Sequence, residues 1–199
     1  MKEILREDKS SLEINDQKKL RNKVIDEVLD QKDKDIETKI SHEKIIKTSF
    51  DDIISLYGKE KWMKVIREHF LIEINKQRKA LGNNELKTQK ILDEIAQSKA
   101  KDMADNNYFD HKDKEWLTDS GRMKKDGRYN FQIFASNISY NIKSIGEVIQ
   151  SYINNKKRNT GHYDVISSKD YKQLWVGLSK GKDNTWYVTI NYWSEINKK

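Results

Sequence analysis

The sequence predicts an α+β domain carried behind a charged helical arm, and three observations predict it. Apolar residues recur at helical spacing in two long stretches between Met63 and Ala104. The end of the chain switches to the two-residue alternation of β-strands. Ahead of both, residues 1–58 are polar and dense in Lys, Asp and Glu. The expected division is therefore an arm over 1–58 and a folded domain over 59–199.

Within the arm, Leu20, Val24, Ile25, Val28 and Leu29 recur at the spacing of an amphipathic helix. The heptad is not sustained, so a tether, or helices laid on a neighbouring domain, fits better than a coiled coil. Ser49-Phe50-Asp51-Asp52 reads as a capped start to a short helix carrying Ile53, Ile54 and Leu56. Met63, Ile66, Phe70, Leu71, Ile74 and Leu81 then draw one helical stripe, and Gly82 is placed to stop it. Thr88 is placed to cap a second helix. Its apolar face is Ile91, Leu92, Ile95, Ala96, Ala100, Met103 and Ala104, with small residues suited to close packing. Asn106-Asn107 ends it, with Tyr108 and Phe109 expected beneath its last turn. A third helix is expected over Ile145 to Ile153.

Leu174, Val176 and Leu178 alternate with Trp175, Gly177 and Ser179, and Trp186, Val188, Ile190 and Tyr192 alternate with Tyr187, Thr189, Asn191 and Trp193. Gly181-Lys182-Asp183-Asn184 between them makes this an antiparallel hairpin on a four-residue loop. Its aromatic and β-branched content suits a sheet covered by helices on at least one face. Phe131 to Tyr140 is a weaker strand.

Composition narrows the function. The net charge is +7, but 32 acidic residues are mixed among 39 basic ones, which marks a lysine-rich surface rather than a nucleic-acid footprint. With no cysteine there is no disulfide, thiolate metal site or thiol nucleophile. No apolar run is long enough to span a bilayer. The opening MKEILREDKSS lacks the apolar core of a signal sequence, so export requires a leader or lipid anchor outside the sequence shown.

Four segments occur in a characteristic order: IEINKQRKALG (Ile72 to Gly82), ILDEIAQSKAKDMADNNYFDH (Ile91 to His111), GHYDVI (Gly161 to Ile166) and LWVGLSKGKDNTWYVTINYW (Leu174 to Trp193). Together they resemble the CAP superfamily, whose domain is also called SCP, in its cysteine-free bacterial branch. The resemblance implies a three-layer α-β-α sandwich with a central antiparallel sheet. It also implies a cleft lined by two histidines and two acidic residues, where some members bind a divalent cation. His111 and His162 match the two histidines. Ser136 occupies the position of the first glutamate, and Asn155 falls near the second acidic position.

Physical chemistry gives that departure weight. A catalytic zinc site takes three protein ligands and an open position, and two neutral imidazoles alone bind weakly. Without a carboxylate, neither histidine has the partner that orients and tunes a general base. Asp110 and Asp164 lie beside the two histidines, but neighbours along a turn usually point different ways. Ser136 lacks the third, orienting group of a nucleophilic triad. His69 reads as a core-edge histidine, and His42 as a solvated residue of the arm.

The expectation is a non-catalytic, secreted or cell-surface binding module with no cofactor, or at most a zinc ion held weakly by His111 and His162. Its partner would be a protein or an apolar ligand. The alternatives are a divalent-metal-dependent hydrolase, a lipid- or sterol-binding CAP protein, and a structural surface protein whose arm docks on another chain. The extracellular location is what the resemblance implies.

Overall fold

The computed structural model describes residues 41–88, 90–127, 131–155 and 161–195. The amphipathic stretch expected over Leu20 to Leu29 lies outside them. The chain divides into two units, Met1–Lys44 and Ile45–Lys199. The boundary falls ahead of residue 58: Ile45, Phe50 and Ile53, which composition assigns to the arm, are fully buried. A short stretch rich in charge can still enter a core through three well-placed apolar side chains.

After the single turn α1 (His42–Ile45), helix α2 (Phe50–Ala80) starts at Ser49, whose Oγ accepts the amide of Asp52 at 3.1 Å. Gly58, at φ 75° and ψ 170°, breaks α2 into two helical pieces. Val65, Ile66, Phe70 and Ile74 form its buried face, whereas Leu81 caps the helix and is exposed. Gly82 then adopts φ 71°, as a helix stop requires. Helix α3 (Lys90–Asn106) ends where Asn107 takes the left-handed conformation, at φ 51°. Helix α4 (Asp119–Asp126) is not expected from the sequence, since its eight residues carry one buried apolar side chain, Met123, and show no period. Thr118 caps its start and Gly127 its end.

Strand β1 (Phe131–Tyr140), helices α5 (Ile145–Asn154) and α6 (His162–Ser167), and strands β2 (Gln173–Lys180) and β3 (Trp186–Glu195) complete the unit. The sheet is antiparallel in the order β1-β3-β2. Pairing of Ser136 and Trp175 with the same residue, Asn191, fixes which side chains share a face. On one face Ser136, Ile138, Trp175, Gly177, Tyr187, Thr189, Asn191 and Trp193 lie beneath α3 and α4. On the other, Val176, Leu178, Val188, Ile190 and Tyr192 pack under α2, α5 and α6. This is the three-layer α-β-α sandwich. The hairpin loop runs one residue longer than expected, Gly181 to Thr185, closed by the Gly181 amide on the Thr185 carbonyl at 2.8 Å.

Two contacts set the layers. A Cβ on Gly177 would lie 2.1 Å from the Ala96 carbonyl, so α3 crosses the sheet where only glycine admits its backbone. Arg78, fully buried at the end of α2, donates to the carbonyls of Asn84 (2.9 Å), Ile166 (2.8 Å) and Ser168 (2.7 Å). Its burial is sustained by this bonding, which fastens the exit of α6 to α2.

Candidate functional site: the histidine cleft

Where α3 ends, the chain turns back on itself. The Tyr108 amide bonds to the Met103 carbonyl at 3.2 Å, and its ring packs on Met103, Ala104, Ile138 and Tyr187. Phe109 does not tuck beneath the helix: it is 47% exposed and lies against Tyr140, with ring centroids 5.5 Å apart. Asp110 commits a carboxylate oxygen to the Lys112 amide at 2.8 Å, an Asx turn. His111 follows. Burial and then the charge of Lys99 lower its pKa, with Asp110 pulling weakly the other way.

His162 opens α6. Its carbonyl accepts from Asn137 Nδ2 at 3.2 Å, and its ring lies on Tyr152, centroids 4.9 Å apart. Asn155 Nδ2 sits 2.9 Å from His162 Nδ1. An amide nitrogen only donates, so in this orientation Nδ1 accepts and Nε2 carries the proton. Burial lowers the pKa of His162, and the charge of His111 lowers it further. His111 thus lies in the loop that follows α3, and His162 at the start of α6.

Ser136 points the other way through the sheet from Asn137, onto the face beneath α3 and α4. There it meets a carboxylate that sequence reasoning misses: Asp119, 3% exposed, in the first turn of α4. Burial raises the pKa of Asp119 to about 6, against the pull of Lys99, Asn191, Arg122 and Ser136. Neither the Ser136 hydroxyl nor the Asn191 amide reaches full hydrogen-bond geometry. Lys99, 2% exposed, donates to the Tyr108 hydroxyl at 3.0 Å and to the Lys112 carbonyl at 3.3 Å. The Tyr108 hydroxyl donates its own proton to Asp102, and Arg122 bridges Asp102 (3.0 Å) and Asp113 (2.6 Å). Burial lowers the pKa of Lys99, with Asp119 the strongest attraction opposing it.

A signal for Lys99 is present in the sequence: it interrupts the apolar stripe of α3, three residues after Ala96 and four before Met103. Asp119 has no comparable signal, because α4 has none. Asp164 lies in the first turn of α6. His69 is half-buried on α2, and His42 lies in α1. Among the described residues, no three His, Cys, Asp or Glu side chains converge as metal ligands.

The fold defines a class: an α-β-α sandwich around a three-stranded antiparallel sheet, with His111 in the loop after α3 and His162 at the start of α6. The chain belongs to the CAP, or cysteine-rich secretory protein, family, whose model matches residues 71–192. It is 28% identical over 136 residues to the Bacillus subtilis protein described as uncharacterized membrane protein YlbC, covering 67% of this chain and 36% of that one. The chain thus spans about a third of that relative's length. Among solved structures it resembles an outer surface protein of Borrelia burgdorferi, with a TM-score of 0.57 at 19% identity, over 65% of this chain and 92% of that one. It also resembles an extracellular SCP-domain protein of Bacillus anthracis, with a TM-score of 0.55 at 24% identity, over 69% and 44%. These likenesses are of fold. No helix among the described residues is long and apolar enough to cross a membrane.

Proposed function

We propose that this protein is a non-catalytic CAP binding module, outside the cell or at its surface, whose histidine cleft does not hold a catalytic metal. One observation carries this reading: among the described residues no three His, Cys, Asp or Glu side chains converge as metal ligands, and the group 2.9 Å from His162 Nδ1 is the neutral amide of Asn155. A catalytic divalent ion takes about three protein ligands, with its imidazoles oriented by hydrogen bonds on their other nitrogen. The Asn155 amide brings no negative charge to offset a cation at His162, and the charge of Lys99 opposes one at His111. The residues present do not fit the metal that some relatives bind, and no hydrolytic step is assigned to them. The outward location is supported by the two structural relatives, one an outer surface protein and the other extracellular.

The binding surface is best supported beside the same loop. Trp116 is 77% exposed and held at φ 63°, a conformation unfavourable for a bulky residue. Phe109 and Tyr140, also exposed, lie against each other with ring centroids 5.5 Å apart, and the Lys112 ammonium lies over the Trp116 ring at 5.2 Å. Exposed tryptophan and tyrosine are the usual anchors of protein partners. Two concavities, of about 460 Å³ (Asp113, Glu115, Leu117, Arg122, Lys125) and about 360 Å³ (with Lys169, Asp170 and Lys172 among its walls), are charged. They give no support to a lipid or sterol ligand.

Zinc titrated into the protein while the His111 and His162 ring resonances are observed tests the reading. No saturable change at micromolar zinc is expected. Micromolar, saturable binding abolished by either His→Ala substitution would restore the metal-dependent alternative.

A further inference from the structure

Hydrogen bonds in the loop after α3 converge on one short turn, residues 113–117. The Asp113 amide donates to the Leu117 carbonyl, and the Trp116 amide to the Asp113 carbonyl, both at 3.0 Å. Asp113 Oδ1 accepts the amides of Glu115 (2.7 Å) and Leu117 (2.9 Å), while its Oδ2 accepts Arg122 Nε at 2.6 Å. Arg122 is held in turn to Asp102 of α3 at 3.0 Å. The turn is thus fastened to both α3 and α4, and what it displays is Trp116, 77% exposed at φ 63°. That backbone is unfavourable for a bulky residue, and an indole left in water does not repay it by packing.

Charges around the turn cancel except at two lysines. Lys99 and Arg122 stand against Asp102 and Asp113 in one network joined through the Tyr108 hydroxyl. Lys125 pairs with Glu115 at 3.5 Å. Lys112 and Lys114 remain, against Asp110, whose carboxylate is turned to the Lys112 amide. The Lys112 ammonium lies 5.2 Å from the Trp116 ring centroid, and Lys114 donates to the neutral Asn106 side chain at 2.7 Å. Both lysines are exposed, and neither has a carboxylate partner among the described residues. Glu115 and Leu117, on either side of Trp116, line a concavity of about 460 Å³ with Asp113, Arg122 and Lys125.

We propose that the Trp116 turn is the docking point of this module and that its partner is an acidic segment of another protein. An apolar or aromatic side chain of that segment seats against the indole, and a flanking Asp or Glu carboxylate meets Lys112 and Lys114. The inference rests on the binding-module reading above and names the partner's chemistry. Charge complementarity selects it: two ammonium groups suit one or two carboxylates, not the run of phosphates along a nucleic acid. A tryptophan already fixed in place keeps the ordering cost of binding low.

The probe is a randomised dodecapeptide library displayed on phage and selected on the immobilised full chain. Enriched peptides should carry Asp or Glu beside an aromatic or aliphatic residue, and a synthetic copy should bind wild type in calorimetry. Trp116→Gly should weaken that binding about tenfold or more, as expected of a tryptophan anchor. Lys112→Gln/Lys114→Gln should weaken it about threefold to tenfold and flatten its dependence on salt. Glycine takes φ 63° without strain, so Trp116→Gly should melt within about five degrees of wild type. A larger fall would make the indole a structural residue and overturn the proposal. Enrichment of no peptide, or of neutral or basic ones, would overturn it too. Acidic peptides that bind Trp116→Gly as well as wild type would remove this site but leave the binding-module reading in place. Saturable zinc binding by wild type would instead overturn that reading, so the two failures are distinguishable.

Discussion

At the scale of single residues, the cleft is governed by burial and by who stands next to whom. Asp119 illustrates the sign. A carboxyl whose folded pKa is raised binds more protons in the native state than in the unfolded chain between its two pKa values. Its contribution to stability is therefore most favourable at low pH and is lost as pH rises toward and past about 6. Urea unfolding of wild type and Asp119→Asn at pH 4, 5.5 and 7 should show the difference between them moving against wild type with rising pH. The total change should be about 3 kcal/mol, from two pKa units at about 1.4 kcal/mol each. A difference that stays flat would place Asp119 in water. The two histidines carry the opposite dependence: their lowered pKa values make stability fall as pH drops below the ordinary imidazole range.

At the scale of elements, what is legible in the sequence follows from period and punctuation. The α2 and α3 stripes, the Ser49 cap, the Gly82 stop and the hairpin alternation are all visible because each repeats a local rule over many residues or marks its end. Helix α4 is not, since eight mostly polar residues with one buried methionine carry no period. His111 and His162 are singled out by resemblance. The burial of Lys99 and Asp119 is a tertiary fact, set by the packing of α3 and α4 on the sheet, which no local period announces. Close packing of α3 on β2 gives the sharpest element-scale test. Gly177→Ala forces a methyl group into the Ala96 carbonyl, and separating backbones is costlier than moving a side chain. Chemical unfolding should show a loss of about 3 kcal/mol or more, at the upper end for overpacking. A loss below about 1 kcal/mol would mean the two elements are not apposed as described.

On the scale of the molecule, the folded unit begins at Ile45, not at Lys59. Phe50 and Ile53 are fully buried, Phe50 packs edge-on against Trp186 of β3, and the Phe50 amide bonds to the Lys143 carbonyl at 2.8 Å. Deleting residues 1–44 should leave a cooperative thermal transition within a few degrees of the full chain. Deleting residues 1–58 strips core side chains, Phe50 and Ile53 among them, and should abolish it, since each lost large apolar residue costs about 2–5 kcal/mol against a marginal total. Equal melting of both truncations would return 45–58 to the arm. All of the functional reading depends on the ends of α3 and α6 bringing two imidazoles within each other's field. The most direct measurement follows the His162 ring through a pH titration in wild type and in His111→Gln. Removing a neighbouring positive charge should move the His162 midpoint upward, toward the ordinary imidazole value. A His162 titration identical in the two proteins would show that the cleft does not join them.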